Sequence, residues 1–362
     1  MAAHGAAYRH SRPTAEAGSL LHRAEFLLQR RRVQEALALF GCAEQAGMDA
    51  DRCAGGRWQC WMLLGEWEKA WVESDRIRAR ASPDANRFWD GTPVDSKRVM
   101  LRCLHGYGDA IQYLRFAPAI RKRAARLIVQ VAPALVELGS YFDGVDEVTT
   151  WGANAGAEPK WDTQIEVTEL PYLVRPTIKD ASPVTPYLRL PVTSRVCDRA
   201  SRAIPKVGLV WTGGAWDDSR SIPFSLVREL LRCEAVEFWS LQSSENNSEW
   251  YAYCNKSGVA AKAAGGHTIV ELAAAAADMD LVITVDTLAA HLAAALGRPT
   301  WTILKWAADW RWMLDRTDSP WYPSMRLFRQ PREGDWPAIM ANVRSELERW
   351  RDSRSQETHQ HG

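Results

Sequence analysis

The chain carries a short motif whose residue types can move protons and approach a ligand closely. It reads His105-Gly106-Tyr107-Gly108-Asp109 and lies between a predicted strand and a predicted helix. Its glycines allow a sharp turn, and the helix N-terminus offers N–H groups to an anion. Asp109 fits a general base, and it equally fits an acid that caps the first turn of its own helix. The third glycine of a dinucleotide-binding fingerprint is absent.

A second motif, residues 211–223, leaves a predicted strand through Gly213 and ends at a predicted helix. Arg220 has the wrong sign for the dipole at a helix start. An anionic ligand such as a diphosphate would give this cation a purpose. Asp217-Asp218 next to it fits either a metal pair or a solvated turn, and the turn is the more common arrangement.

The third motif follows the most apolar predicted strand, Leu281–Val285. Asp286 and Thr287 come where this strand ends and a helix begins, which makes a ready anion site. His291 is one turn further on and shares a helix face with Thr287. A lone helical histidine is commonly a packed residue. The three side chains together at the carboxyl end of a strand nevertheless favour ligand binding.

Aromatic residues and arginines alternate in a fourth motif, which runs from Asp309-Trp310-Arg311-Trp312 to Arg326. Such a segment can stack a base or a sugar and neutralise phosphate. It can equally be a rigid loop that closes a domain interface. The sequence does not decide between these two interpretations.

Two series of alternating strands and helices must position these motifs. The predicted strands are Arg98–Arg102, Arg126–Val131, Asp146–Thr150 and Trp161–Ile165, then Lys206–Trp211, Phe238–Gln242, Leu281–Val285 and Thr300–Leu304. The predicted helices are Pro133–Phe142, Ser225–Arg232, Thr268–Ala277, Ala289–Leu296 and Trp336–Trp350. The proline-rich segment 183–205 is predicted to be a linker. We therefore predict an α/β fold with two Rossmann-like domains, 95–192 and 205–350, and a ligand-binding cleft between them.

The N-terminal residues read as helix throughout, with apolar positions three and four residues apart. Val33-Gln-Glu-Ala-Leu37 repeats as Trp67-Glu-Lys-Ala-Trp71, 34 residues later. This period is typical of tetratricopeptide repeats, although an ordinary helical segment can produce it by chance. We predict a tetratricopeptide-like α-helical domain at 14–82. It should pack against the domain that comes after it in the chain, because two repeats are too few to stand alone.

Bulk composition excludes several classes of protein. The 45 basic and 44 acidic residues give a net charge of +1, which offers no electrostatic case for binding nucleic acid or an anionic membrane. The seven cysteines are scattered without a C-x-x-C pair, which favours reduced thiols over a zinc site or a disulfide framework. No signal peptide or membrane span is predicted, so we expect a cytoplasmic protein.

In order along the chain, these motifs resemble bacterial tetratricopeptide-repeat glycosyltransferases. Those proteins are related to the heptosyltransferases of glycosyltransferase family nine and more distantly to O-GlcNAc transferase. The resemblance runs from about residue 60 to 350, and its motifs are Val99–Pro118, Gly208–Trp211, Arg220–Pro223, Asp286–His291 and Asp309–Gln330. It implies a GT-B fold and inverting, metal-independent transfer from a nucleotide-diphosphate sugar to a protein or glycan acceptor.

The resemblance also implies roles for individual residues. Asp109 corresponds to the base, and Arg220 stands where heptosyltransferases place a phosphate-binding lysine. Asp286 would contact the donor sugar, while Thr287 and His291 would meet the diphosphate. The complete predicted set is Asp109 and Arg220 for catalysis; Trp211, Gly213, Asp286, Thr287, Leu288, His291, Asp309 and Arg311 for the donor; and His105, Gly106, Gly108 and Gln112 for the acceptor.

Four residues, at three places in the chain, depart from the family's usual residues. Leu104-His105 replaces a Glu-Gln pair, Leu288 replaces a glycine and Lys305 replaces a proline. The departures keep open a second hypothesis, a degenerate scaffold that binds sugar nucleotide while its helical repeats recruit a protein. A third hypothesis, an unrelated α/β enzyme acting on nucleotides, lacks a P-loop or a G-x-S-x-G elbow. The sequence leaves the sugar, the base, the acceptor and the oligomeric state open.

Overall fold

The structure is a computed structural model that describes residues 15–80, 88–152, 156–181, 185–191, 204–214, 217–260 and 262–360. The chain divides into two compact units. One unit contains the N-terminal helices together with residues 309–315, and the other contains both β-sheets. Among the described residues, no helix is long and apolar enough to cross a membrane.

The N-terminal helices pair as two hairpins. They are α1 Ala15–Gln29, α2 Val33–Gln45, α3 Ala50–Leu64 and α4 Trp67–Arg80. Apolar side chains at helical spacing, among them Leu21, Leu27 and Phe40, form the core of this unit. The predicted 34-residue offset relates the first residues of α2 and α4. Assignment of these hairpins to the tetratricopeptide repeats stays a prediction.

A buried ion-pair network joins the helices of this unit. Arg57 donates to both carboxylate oxygens of Glu73, at 3.0 and 2.9 Å, and to Glu44 at 2.5 Å. Both Arg57 and Glu73 are buried. Because buried charges are costly unless they are paired and hydrogen-bonded, each of these side chains depends on the others.

Residues 309–315 belong to the helical unit although they follow a strand of the second sheet in the chain. Trp310 meets Trp58 of α3 edge to face, with ring centroids 4.8 Å apart. Arg31 donates to the Leu314 carbonyl at 2.9 Å and to Asp315 at 2.6 Å. The fourth sequence motif is therefore divided between the two units, whereas the sequence suggested one continuous loop.

All strands in both sheets are parallel. The first sheet has the order β3-β2-β1-β4 and comprises β1 Arg98–Arg102, β2 Arg126–Val131, β3 Glu147–Thr150 and β4 Thr163–Glu166, with helices α5 Tyr107–Tyr113, α6 Ala117–Arg121, α7 Val136–Gly139 and α8 Leu170–Val174. The second has the order β6-β5-β7-β8-β9 and comprises β5 Lys206–Val210, β6 Glu237–Ser240, β7 Leu281–Val285, β8 Thr300–Leu304 and β9 Met325–Arg329, with helices α9 Phe224–Val227, α10 Ser248–Ser257, α11 Ile269–Asp278, α12 Leu288–Ala295 and α13 Trp336–Gln360.

The predicted fold class is confirmed, and several predicted elements need correction. Strand β4 begins at Thr163 and includes Glu166, two residues and one residue from the predicted bounds. The predicted helix Ser225–Arg232 consists of α9 followed by a separate 3-10 turn at Leu230–Arg232. Helix α10 and strand β9 were not predicted. The domain bounds 95–192 and 205–350 remain predictions.

The segment predicted to be a linker contains three buried residues, Tyr187, Leu188 and Leu190. The Tyr187 N–H donates to the Ala295 carbonyl of α12 at 3.2 Å, and Leu188 forms an antiparallel bridge with Phe142. This stretch therefore connects the elements of the two sheets through packed contacts rather than as a free tether. Residues 183–184 and 192–203 of the segment lie outside the described part.

Candidate functional site

Arg220 lies at the carboxyl edge of the second sheet, in a 3-10 turn at Asp218–Arg220. Its guanidinium is nearly buried, with 7% of the residue exposed. It donates to the Asp286 carbonyl at 2.7 Å, which places the cation directly where β7 ends. The sequence suggested a cation at the start of the next helix, but the side chain instead turns toward the end of the central strand.

Helix α12 begins at this same edge. Thr287 is its N-cap residue, with extended backbone and no side-chain cap hydrogen bond. Asp286, Thr287 and Leu288 are all partly exposed. The positive end of the helix and the Arg220 guanidinium therefore converge on Asp286, which is the arrangement that an anion requires.

A second cation, Lys305, reaches this edge from the end of β8. Its Nζ lies 2.7 Å from Asp217 Oδ2 and 3.0 Å from Ser219 Oγ. Asp217 also lies 3.8 Å from the Arg220 Nε. Burial alone would raise the pKa of Asp217, but the bonds from Lys305 and Ser219 hold that pKa below its usual value. Sequence reasoning identified Lys305 only as a departure from the family, since a lysine after an apolar strand is usually a solvated residue.

Two predicted donor residues support the edge rather than project from it. The Trp211 ring is buried in the core and stacks on Trp250, with centroids 6.0 Å apart. Its backbone N–H donates to Gln242 Oε1 at 3.0 Å. Gly213 donates its N–H to Ser221 Oγ at 3.0 Å, beside Arg220. Their contacts with a donor remain predictions.

His291 is packed between helices of the two sheets. It is 3% exposed, and its Nδ1 lies 2.8 Å from the Tyr322 hydroxyl. A Cβ added at Gly108 of α5 would lie 2.8 Å from the His291 ring. The packed histidine that the sequence left open is thus present, and a contact of His291 with the diphosphate stays a prediction.

The first sheet presents Asp109 at its own carboxyl edge. Its Oδ2 accepts the Gly106 N–H at 3.2 Å, so the carboxylate caps the helix on which it lies. The side chain is partly exposed. Gln112, one turn further along, is fully buried, and its backbone carbonyl accepts a bond from Arg115 at 2.6 Å. Both interpretations of Asp109, cap and base, therefore survive.

Beside Asp109 the structure brings together a pair that the sequence did not predict. Glu166 ends β4 next to β1 and is 0% exposed. Its carboxylate accepts the Leu104 N–H at 3.3 Å and the Thr168 N–H at 2.6 Å. His105 Nε2 lies 3.7 Å from Glu166 Oε2. Burial raises the pKa of Glu166 although its bonds to Thr168 and the charge of His105 oppose the shift.

The signal for Glu166 was present in the sequence as an acid that directly follows an apolar alternation. It was not recognised because the predicted strand ended at Ile165. In the parallel sheet β4 neighbours β1, so their carboxyl ends meet. That neighbourhood comes from strand order, which local pattern does not reveal.

Arg115 joins the first sheet's helices to the loop before β9. It is 4% exposed and donates to the Trp321 carbonyl. Its guanidinium lies over the Tyr322 ring, 4.3 Å from the centroid. The hydroxyl of that tyrosine contacts His291, so the cation, the two aromatics and the histidine form one packed column.

The remaining predicted donor residues, Asp309 and Arg311, belong to the helical unit. Asp309 Oδ1 accepts the Arg311 N–H at 3.0 Å and its Nε–H at 2.8 Å. Their donor role stays a prediction. Within the described part of the chain, no group of three or more His, Cys, Asp or Glu residues is arranged to hold a metal ion.

Comparison with known proteins covers most of the second sheet. Residues 227–333 match the family model described as glycosyltransferase family 9 (heptosyltransferase). The matched region contains Asp286, Thr287 and His291. The acceptor-side residues and Arg220 lie outside the match.

A relative and two solved structures are similar over most of the chain. Protein FlbA of Caulobacter vibrioides is 25% identical over 326 residues, which cover 79% of this chain and 53% of that protein. The chain thus spans about half the length of this curated relative. A family 9 glycosyl transferase from Veillonella parvula is 13% identical, with a TM-score of 0.50. The similarity covers 74% of this chain and 99% of that protein's chain. E. coli heptosyltransferase WaaC shares 14% identity over 70% of this chain and 99% of its own, with a TM-score of 0.49.

Proposed function

We propose that this chain, whose residues 227–333 match the glycosyltransferase family 9 (heptosyltransferase) model, transfers a sugar from a nucleoside diphosphate sugar to an acceptor hydroxyl. The transfer inverts the anomeric centre and uses no metal ion. The observation that carries the proposal is the bond between Arg220 and the Asp286 carbonyl. It holds a nearly buried cation at the first turn of α12.

The charge arrangement supports a diphosphate as the leaving group. Arg220 and Lys305 approach the edge from β5 and β8, on either side of β7. A guanidinium matches phosphate oxygens with paired donors, and the α12 N-terminus adds a favourable dipole. These groups would stabilise the negative charge that develops as the sugar–diphosphate bond breaks, in place of a metal.

The reaction is a direct displacement. The acceptor oxygen forms a bond to the anomeric carbon on the face opposite the diphosphate, the bond from that carbon to the diphosphate oxygen breaks, and the acceptor hydroxyl gives its proton to a base. Asp109 is the base that the sequence predicts. Asp286 would contact the donor sugar, and Thr287 and His291 the diphosphate.

A thermal-shift screen of purified protein against nucleoside diphosphates and their sugars tests the donor site. We expect at least one nucleotide to raise the Tm of the wild type, because a bound ligand stabilises the folded state. The shift should disappear in Thr287→Ala and in Asp286→Ala. Ser225→Ala, an exposed hydroxyl on α9, is the matched control and should keep it.

The screen also separates transferase from scaffold. A scaffold that binds sugar nucleotide without turnover would show the shift but release no diphosphate from the donor over time. A well-folded wild type that shows no shift with any nucleotide would contradict the proposal outright.

A further inference from the structure

The proposed transfer needs a base at the acceptor side, and the loop before α5 together with the first turn of α5 contains two candidates. Asp109 is the carboxylate that the sequence predicts. His105 is an imidazole four residues earlier, and its side chain is 36% exposed. The contacts of the two side chains differ, and the difference decides between them.

Glu166 is a fully buried carboxylate with a defined set of partners. It accepts backbone N–H groups from Leu104 and Thr168 and the Thr168 hydroxyl. Within the part of the chain that the structure describes, His105 is the cationic group within ion-pair distance of it. A buried charge is costly unless it is paired. A protonated His105 would therefore offset the free-energy cost of burying this carboxylate.

One ring nitrogen of His105 lies next to the buried carboxylate. This nitrogen is Nε2, 3.7 Å from Glu166 Oε2, so Nδ1 is the nitrogen that the proposed proton transfer would use. A carboxylate on one nitrogen selects the tautomer and stabilises the imidazolium that forms on proton transfer. The separation of 3.7 Å is longer than a hydrogen bond, and such contacts commonly tighten when substrate binds.

The residues on either side of His105 make its surroundings accessible. Leu104 is 45% exposed and Tyr107 is 41% exposed. An acceptor can therefore approach this loop over apolar surface. Asp109, in contrast, already accepts the Gly106 N–H and caps α5. An imidazole also ionises closer to neutral pH than a carboxyl group, which makes it the more effective base there.

We propose that His105, oriented by the buried Glu166, accepts the proton of the acceptor hydroxyl, and that Asp109 holds the loop. The inference rests on the proposed transfer. The acceptor oxygen bonds to the anomeric carbon, the diphosphate leaves with the bonding electron pair, and the hydroxyl proton moves to Nδ1 of His105. Glu166 balances the resulting positive charge, so it is a positioning residue.

Other titratable groups surround the pair. The thiol of Cys103 on β1 is buried, and burial raises its pKa well above the usual value. Glu169 accepts the Glu166 N–H at 3.0 Å. Both groups are buried, and the other ionisable side chains of this segment are Tyr107 and Asp109.

The test compares His105→Gln, Glu166→Gln and Asp109→Asn with the wild type in diphosphate release from a panel of nucleoside diphosphate sugars, with water as the acceptor. Nucleotide binding is followed in parallel by thermal shift. We expect His105→Gln to lower kcat at least ~100-fold without changing nucleotide binding, and to remove the fall in rate at acid pH. His22→Gln, an exposed histidine on α1, should behave as the wild type.

The two partners should give distinct signatures. Glu166→Gln should lower kcat less and move the acid limb of the pH–rate profile to lower pH, since the imidazolium loses its counter-charge. Asp109→Asn should keep the acid limb and lower the Tm. If His105→Gln, which installs the residue usual in the family, retains the wild-type rate and profile, the inference is wrong while the transfer stands. If the wild type neither binds nor cleaves any donor, both proposals fall.

Discussion

The carboxyl edges of the two sheets hold their charged groups in different ways. At the second sheet, Arg220 is anchored by the backbone carbonyl of Asp286. At the first sheet, His105 Nε2 lies 3.7 Å from a buried carboxylate, Glu166. The edge of the second sheet, the proposed donor edge, therefore holds a guanidinium on a neutral partner. The edge of the first sheet, the proposed acceptor edge, instead brings an imidazole close to a carboxylate.

This difference matches the chemistry that each edge is proposed to perform. A leaving diphosphate needs constant positive charge, whereas a proton acceptor has to change its charge during the reaction. The family match covers the donor edge at Asp286 and Thr287 and leaves the acceptor edge outside.

The sharpest separation of the two edges comes from Arg220→Ala. We expect nucleoside diphosphate affinity to fall ~10- to 100-fold, because a charge-assisted hydrogen bond contributes about 1.5–3 kcal/mol. Calorimetric titration with the nucleotide selected in the screen measures it. Arg228, which directly follows α9, is an exposed arginine, and Arg228→Ala is the control. An equal loss of nucleotide affinity in His105→Gln would contradict the assignment of nucleotide binding to one edge and proton transfer to the other.

Gly108→Ala tests the place where the two edges meet. A Cβ would lie 2.8 Å from the His291 ring, and overpacking of this kind costs about 1–3 kcal/mol. Chemical denaturation should show the loss. In Gly18→Ala, where a Cβ on α1 meets nothing within 4 Å, stability should instead rise by about 0.5–1 kcal/mol. Combining Gly108→Ala with His291→Ala should recover part of the loss, and its persistence would disprove the contact.

Lys305→Ala probes the secondary cation of the donor edge. Lys305 is 28% exposed and is already paired with Asp217, so its removal should weaken nucleotide binding only a few-fold, in line with the small value of partly exposed ion pairs. The same titration measures this effect. A loss as large as that of Arg220→Ala would mean that Lys305, rather than Arg220, is the principal phosphate ligand.

The smallest effect expected is a pH dependence of stability. Burial raises the pKa of Glu166 above its unfolded value. Burial of this carboxyl group therefore costs no stability below its unfolded pKa, where the group is protonated in both states. The free energy of unfolding falls as the pH rises through the folded pKa. Relative to Glu166→Gln, the Tm of the wild type should fall across the pH range above the unfolded glutamate pKa of about 4.3. A constant difference in Tm between the two proteins across that range would show that burial does not raise the pKa of Glu166.

Local pattern predicted what depends on neighbours in sequence. Strands such as Leu281–Val285 and Thr300–Leu304 have the predicted bounds, because continuous apolar runs between polar turns are typical of buried parallel strands. The predicted residues of the third motif lie at the edge of the second sheet for the same reason. Strand β9 was overlooked because two arginines interrupt the apolar residues of Met325–Arg329, which lies at the margin of its sheet.

The contacts that the sequence could not reveal depend on partners far along the chain. Glu166 contacts Leu104 and His105, about 60 residues earlier in the chain, and Lys305 contacts Asp217. His291 is packed through Tyr322 and Gly108. Each of these contacts arises from strand order and helix packing, which a periodicity does not encode.

Residues 309–315 have a consequence for how the protein is made. Arg31 binds Leu314, 283 residues further along the chain, and Trp310 covers Trp58. The helices leave the ribosome before residues 309–315, so the unit to which they belong lacks part of its packing until translation has passed β8. During that interval the side of Trp58 that Trp310 contacts is uncovered in the nascent chain, where a chaperone could bind it. An N-terminal fragment that ends after α4 would carry the same defect permanently.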